Sequence, residues 1–178
     1  MKLPILAVAV LLSGTAVAQS PYVGMQNRPV KTLSEQQVAD LKAGRGMGLA
    51  LPAELNGYPG PSHLLELADR LELSPSQRDS IKQLFDSMKA EAVPVGERLI
   101  EQETKLDRQF ANRTVTPDGL KIATSEIGAT QAELRNTHLK YHLETAHILS
   151  DQQMHQYAML SGYAGDGGDA QHRHQHMR

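Results

Sequence analysis

The chain has 178 residues, a formal charge of −2 at pH 7 and no cysteine. That excludes a disulfide, a thiolate nucleophile and a cysteine-ligated metal, and it leaves no global basic field to draw nucleic acid. There is no tryptophan and there are only two phenylalanines, so stacking on bases or sugars has little support either.

Residues 1–18 read as a secretory signal. Lys2 supplies the positive end, Leu3 to Leu12 the apolar run, and Ala16-Val17-Ala18 a small-x-small cleavage site. The run falls short of the ~20 apolar residues that span a bilayer. Cleavage near Ala18 leaves a mature chain of 160 residues (178 minus 18), expected to be soluble in the periplasm of a Gram-negative-type envelope.

A short motif, Leu-Ser-x-x-Gln, occurs three times, at Leu33–Gln37, Leu73–Gln77 and Leu149–Gln153. It has the form of a capping box. Serine at the N-cap accepts from the N3 backbone N–H, and glutamine at N3 reaches back to the N-cap N–H. Each copy therefore predicts a helix start and no chemistry of its own. The first opens a short helix in residues 19–61, a segment with no further assignment. Gly44-Arg45-Gly46-Met47-Gly48 follows as a loop. It lacks the preceding strand and the Gly-Lys-Ser/Thr of a phosphate loop. Pro61-Ser62 opens a short helix over about 63–72.

The second box opens the first long arm, Pro75 to about Ala111. Its apolar stripe is Ile81, Leu84, Phe85, Met88, Ala92, Val95, Leu99, Leu106 and Phe110, at steps of three and four. Pro94 and Gly96 lie inside it and predict a kink and local weakness. Asn112 to Val115 forms a tip. The second arm runs from Pro117 to about Ile148, with Leu120, Ala123, Ile127, Thr130 or Gln131, Leu134, His138, Tyr141 and Ile148 on one face. The third box opens a last helix to about Tyr163. Residues 164–178 read as a disordered tail carrying His172, His174 and His176. The predicted fold is all-α: a long bent antiparallel helical hairpin over 62–163 with short flanking helices. Each arm is roughly 50 Å long at 1.5 Å per residue. The upper half near Asn112 lacks a partner in its own chain, which predicts a cradle-like homodimer or a client along the concave side.

An exported, cysteine-free chain with Leu-Ser-x-x-Gln boxes at Leu73–Gln77 and Leu149–Gln153 flanking such a hairpin resembles the Spy/CpxP periplasmic stress proteins. It also resembles the related ZraP/CnrX heavy-metal resistance and sensing proteins. The resemblance covers about residues 62–163. It implies an antiparallel dimer with a concave face and a role in envelope stress: binding partly unfolded proteins, docking a membrane sensor, or sensing and buffering metal. On that basis Met88, Val95, Leu99, Leu106, Phe110, Ile127 and Leu134 are expected to line the client or dimer face. Apolar surface near the tip would favour client binding, and converging imidazoles near the base would favour metal.

The strongest local pattern for chemistry is His138-Leu-Lys-Tyr-His142. Histidines at i and i+4 share a helical face and can hold one ion. The metal-sensing branch of the family implies a pair on this arm. Glu91 from the opposite arm and His63 from the short helix are candidates to complete a site for Zn, Ni, Co or Cu. The three tail histidines are a second, weaker chelating set. No cofactor is required by either reading. No nucleophile elbow or other catalytic set is present, so an enzyme is not expected. A purely structural envelope protein without a ligand is the third class.

Overall fold

The computed structural model describes residues 20–163. Residues 1–18, where a secretory signal is expected, and the tail histidines His172, His174 and His176 lie outside them. The regular elements among the described residues are all helical, with no strand among them. A 3-10 turn at Met25–Asn27 precedes six α-helices. These are α1 (Glu35–Lys42), α2 (Leu51–Glu54), α3 (Pro61–Glu66), α4 (Pro75–Ala111), α5 (Pro117–Ala146) and α6 (Asp151–Leu160). None is long and apolar enough to cross a membrane.

All three capping boxes form, with Ser34, Ser74 and Ser150 each accepting from the N3 backbone while Gln37, Gln77 and Gln153 return the bond. Thr116 caps α5. The two long helices pack on each other, and their side-chain pairs descend α5 as they ascend α4. Glu91 meets Lys140 and Tyr141, and Arg98 meets Thr130 and Glu133, so the helices run antiparallel. Threonine rather than glutamine supplies the stripe at its ambiguous position, since Thr130 is buried and Gln131 is exposed.

Helix α4 is unbroken across Pro94. The proline is exposed, and so is Ala90, whose carbonyl it leaves without a helical donor; water can satisfy that oxygen. Gly96 is a point of contact rather than of weakness. A Cβ there would stand 2.7 Å from the Leu41 carbonyl oxygen, so only glycine lets α1 lie this close to α4.

The expectation that the upper half of the arms lacks a partner is corrected by residues 30–50. Leu33, Leu41 and Leu49 pack on Ala92, Val95, Leu99, Ile127 and Leu134. Further towards the tip, Thr32 Oγ1 donates to Glu103 at 2.9 Å and Lys31 Nζ pairs with Asp107 at 2.9 Å. The N-terminal segment was unplaceable from sequence because its stripe is short and broken by glycines; it is the strap that covers the arms. Of the residues expected on an open client or dimer face, Met88, Val95, Leu99, Ile127 and Leu134 are buried within the one chain. Leu106 is half-buried against the same cluster, and only Phe110 is exposed. A second core at the other end joins Leu64, Ala68, Leu71, Leu73, Ile81 and Tyr157 from α3, the turn after it, α4 and α6.

Candidate functional site

Between the two cores, Glu54 at the end of α2 is carried into the protein and left 6 % exposed. It comes from an apolar run, Leu49 to Leu55, in which it is the one acid. Four donors from three parts of the chain, the start of α3, α5 and α6, surround its carboxylate. Oε1 accepts from His142 Nε2 at 2.9 Å, His63 Nδ1 at 3.0 Å and the Gly60 backbone N–H at 3.1 Å. Oε2 accepts from the Tyr157 hydroxyl at 2.6 Å. Burial alone would raise this carboxyl's pKa. The bonds from His142, His63 and Tyr157 outweigh it and hold the group well below the usual carboxylate range.

His142 is oriented from behind. Its Nδ1 lies 2.9 Å from the His138 carbonyl oxygen, one helical turn earlier, so Nδ1 carries hydrogen and Nε2 is the nitrogen turned to Glu54. His63 sits in the first turn of α3, which Gly60 caps and Pro61 opens. Its bond to Glu54 raises the imidazole pKa, against the burial that would lower it. Gly60 has no room for a side chain: a Cβ would lie 2.7 Å from His142 Nε2 and 2.9 Å from Glu54 Oε1. His138 is 2 % exposed, and burial lowers its pKa, followed by the charge of His142. Its Nε2 is enclosed without a partner.

Glu54, Gly60, His63, His138 and His142 form one wall of a pocket of about 480 Å³. The loop Gly44 to Gly48 forms another, and Phe85, Met88 and Lys89 of α4 a third.

Of the residues singled out in the sequence for metal, the structure brings His63 and His142 onto one carboxylate oxygen and sets His138 in the same pocket. Glu91 is corrected: it lies on the exposed side of the arms, bonded to Lys140 and to the Tyr141 hydroxyl, and it does not line the pocket. The acid in its place is Glu54, which the sequence reading missed along with Gly60 and Tyr157. A lone acid inside the apolar run 49–55 was the available signal. Among the described residues no three His, Asp or Glu side chains are arranged as they stand to hold a metal ion. The Glu54 oxygen is bonded to the very nitrogens that would do so.

No protein-family model, no curated protein and no solved structure matches the chain.

Proposed function

We propose that this is an exported, non-enzymatic, metal-responsive protein, similar in role to the heavy-metal resistance and sensing relatives of the Spy/CpxP type, and that His63, His142 and Glu54 hold the ion. The observation that carries this is the double use of Glu54 Oε1 by His63 Nδ1 and His142 Nε2, at 3.0 and 2.9 Å. Ligand atoms in a tetrahedral site with bonds of about 2.0 Å stand roughly 3.3 Å apart, so a small separation of these groups suits them to Zn(II), Co(II), Ni(II) or Cu(II). The bond from His142 Nδ1 to a backbone carbonyl is the support a metal-binding imidazole ordinarily has, because it fixes the ring and leaves Nε2 for the ion. Tyr157 and Gly60 give the carboxylate the same kind of support. The ion would take the place of the protons now shared between the imidazoles and Glu54, so binding weakens as pH falls.

The test is a thermal melt of the mature protein with each of these four metals, repeated on His142→Ala, Glu54→Gln and a chain ending at Gly165. Stabilisation that survives truncation and disappears in both substitutions supports the reading. Stabilisation lost only on truncation moves metal to the tail histidines. No stabilisation by any of the metals removes the proposal.

A second reading, docking of an unfolded client, a membrane sensor or a second copy, has its own observation. Phe110 and Ile122, on either side of the tip between α4 and α5, are 53 % and 60 % exposed. Suppression of client aggregation by the metal-free protein, lost in Phe110→Ser/Ile122→Ser, would support it.

A further inference from the structure

The pocket is far larger than an ion needs, and its chemistry away from Glu54 points to something else. Four features define it. Its α4 wall is apolar, with Phe85 and Met88, and the exposed Met47 and Leu51 continue that surface outward. Its mouth carries Lys89, whose ammonium lies 5.6 Å from the centroid of the Phe85 ring and which forms no ion pair among the described residues. The only acid of the lining, Glu54, has its carboxylate engaged by four donors, two of them imidazoles.

The fourth feature is His138. Its ring makes no hydrogen bond to any described residue, although the side chain is almost wholly buried. Nε2 is sealed in, and an enclosed lone pair costs less than an enclosed N–H. The neutral ring therefore carries its hydrogen on Nδ1, the nitrogen nearest Gly46, which is itself part of the lining. Unlike Nε2, this nitrogen is not sealed in; it has no acceptor among the described residues and lies beside a cavity with an apolar wall and a cationic mouth. Such a set of few polar groups around an apolar space is the ordinary make-up of a small-molecule site.

We infer that this pocket binds a small amphiphilic carboxylate, with its apolar body against Phe85 and Met88, its charge compensated by Lys89, and an oxygen within reach of His138 Nδ1. The site does not require the metal reading, since none of these four residues is assigned to the ion.

The test is titration calorimetry of the mature protein, in the presence of a chelator at pH 7.5, with decanoate and with decylammonium, both kept below micelle formation. The expected result is one decanoate per chain, with decylammonium at least tenfold weaker. Lys89→Glu should weaken decanoate about fivefold or more, the size of effect an exposed charge produces. Gly46→Leu, which fills the pocket beside His138, should abolish binding; its fold is checked by circular dichroism, and if it does not fold the exposed Lys89 variant decides alone. No saturable decanoate binding, equal binding of the two amphiphiles, or an unchanged affinity in Lys89→Glu would each overturn the inference. Because chelator is present throughout, these outcomes are independent of whether the protein also takes metal.

Discussion

Gln77 and Gln153 hydrogen bond to each other through both of their amides. Gln77 Nε2 donates to Gln153 Oε1 at 2.8 Å, and Gln153 Nε2 donates to Gln77 Oε1 at 3.1 Å. Each amide also reaches a backbone carbonyl of the facing segment, Ile148 for Gln77 and Leu71 for Gln153. The second and third Leu-Ser-x-x-Gln boxes thus cap their own helices and also tie the starts of α4 and α6 together. Glutamate at N3 can complete a capping box but has no amide to donate. Gln77→Glu should therefore keep the cap, lose the bridge and cost about 1–3 kcal/mol, because donors and acceptors at a half-buried contact go unmet. The control is Gln37→Glu in the first box, where the side chain is exposed and bonds only to Ser34; it should be near neutral. Equal urea midpoints for the two variants would reduce the motif to a cap.

The helices were legible in the sequence because their signals are local. The Ser34, Ser74 and Ser150 caps, Pro75 and Pro117 at helix starts, and the three–four stripe of α4 each lie within a turn or two of what they specify. Where the elements meet was less legible. Leu41 against Gly96 and Thr32 against Glu103 join residues far apart in the chain, through a segment too short and too glycine-rich to show a stripe. The histidine pair drew notice through its i, i+4 spacing. Its acid could not be chosen that way, since spacing within α5 says nothing about which carboxylate a separate four-residue helix will bring to it.

Pro94 and Gly96 look alike from the sequence, as two poor helix formers side by side, and the structure predicts opposite responses to alanine. Pro94 is exposed, so Pro94→Ala restores a helical bond. A gain of about 2 kcal/mol is expected, from roughly 3 for interior proline less roughly 1 for the freer unfolded chain. Gly96→Ala would ordinarily gain as well, but its Cβ meets the Leu41 backbone at 2.7 Å, which cannot move without shifting α1. It should cost about 1–3 kcal/mol. Denaturant melts of both variants check the signs. A loss in Pro94→Ala would show that the backbone geometry proline imposes is what fits α4 against α1.

Gly60 has ordinary extended backbone, with φ −80°, so alanine there carries no conformational strain. Its cost comes from the clash with His142 Nε2 and Glu54 Oε1 alone. Gly60→Ala should lose about 1–3 kcal/mol and should also abolish any metal-induced stabilisation, since the added methyl separates the two groups proposed as ligands. In His142→Ala the same change should cost much less, giving a coupling of about 1 kcal/mol or more in a double-mutant cycle. Additive effects would place the damage outside the carboxylate–imidazole contact.

The two histidines of the pocket with shifted pKa values should pull metal-free stability in opposite directions with pH. His63 has a raised folded pKa, so its bond to Glu54 stabilises fully below the unfolded value of ~6.5 and is lost as pH rises through the folded value. His138 has a lowered folded pKa: as pH falls below ~6.5 the unfolded chain takes a proton that the buried ring refuses, and stability declines until the folded value is reached. The Glu54 contribution is full above the unfolded carboxylate value of ~4.3 and declines only below it, because its folded pKa lies below the usual carboxylate range, so it is nearly constant between pH 5 and 8. Urea unfolding at pH 5, 6, 7 and 8 with chelator present separates them. His63→Gln should fall furthest behind the unmodified protein at pH 5 and close the gap towards pH 8. His138→Gln should flatten the decline of stability between pH 7 and 5. A gap for His63→Gln that does not change with pH would mean that its bond to Glu54 is not an ion pair in solution. An unchanged slope in His138→Gln would mean that the ring is hydrated and free to take its proton in the folded protein.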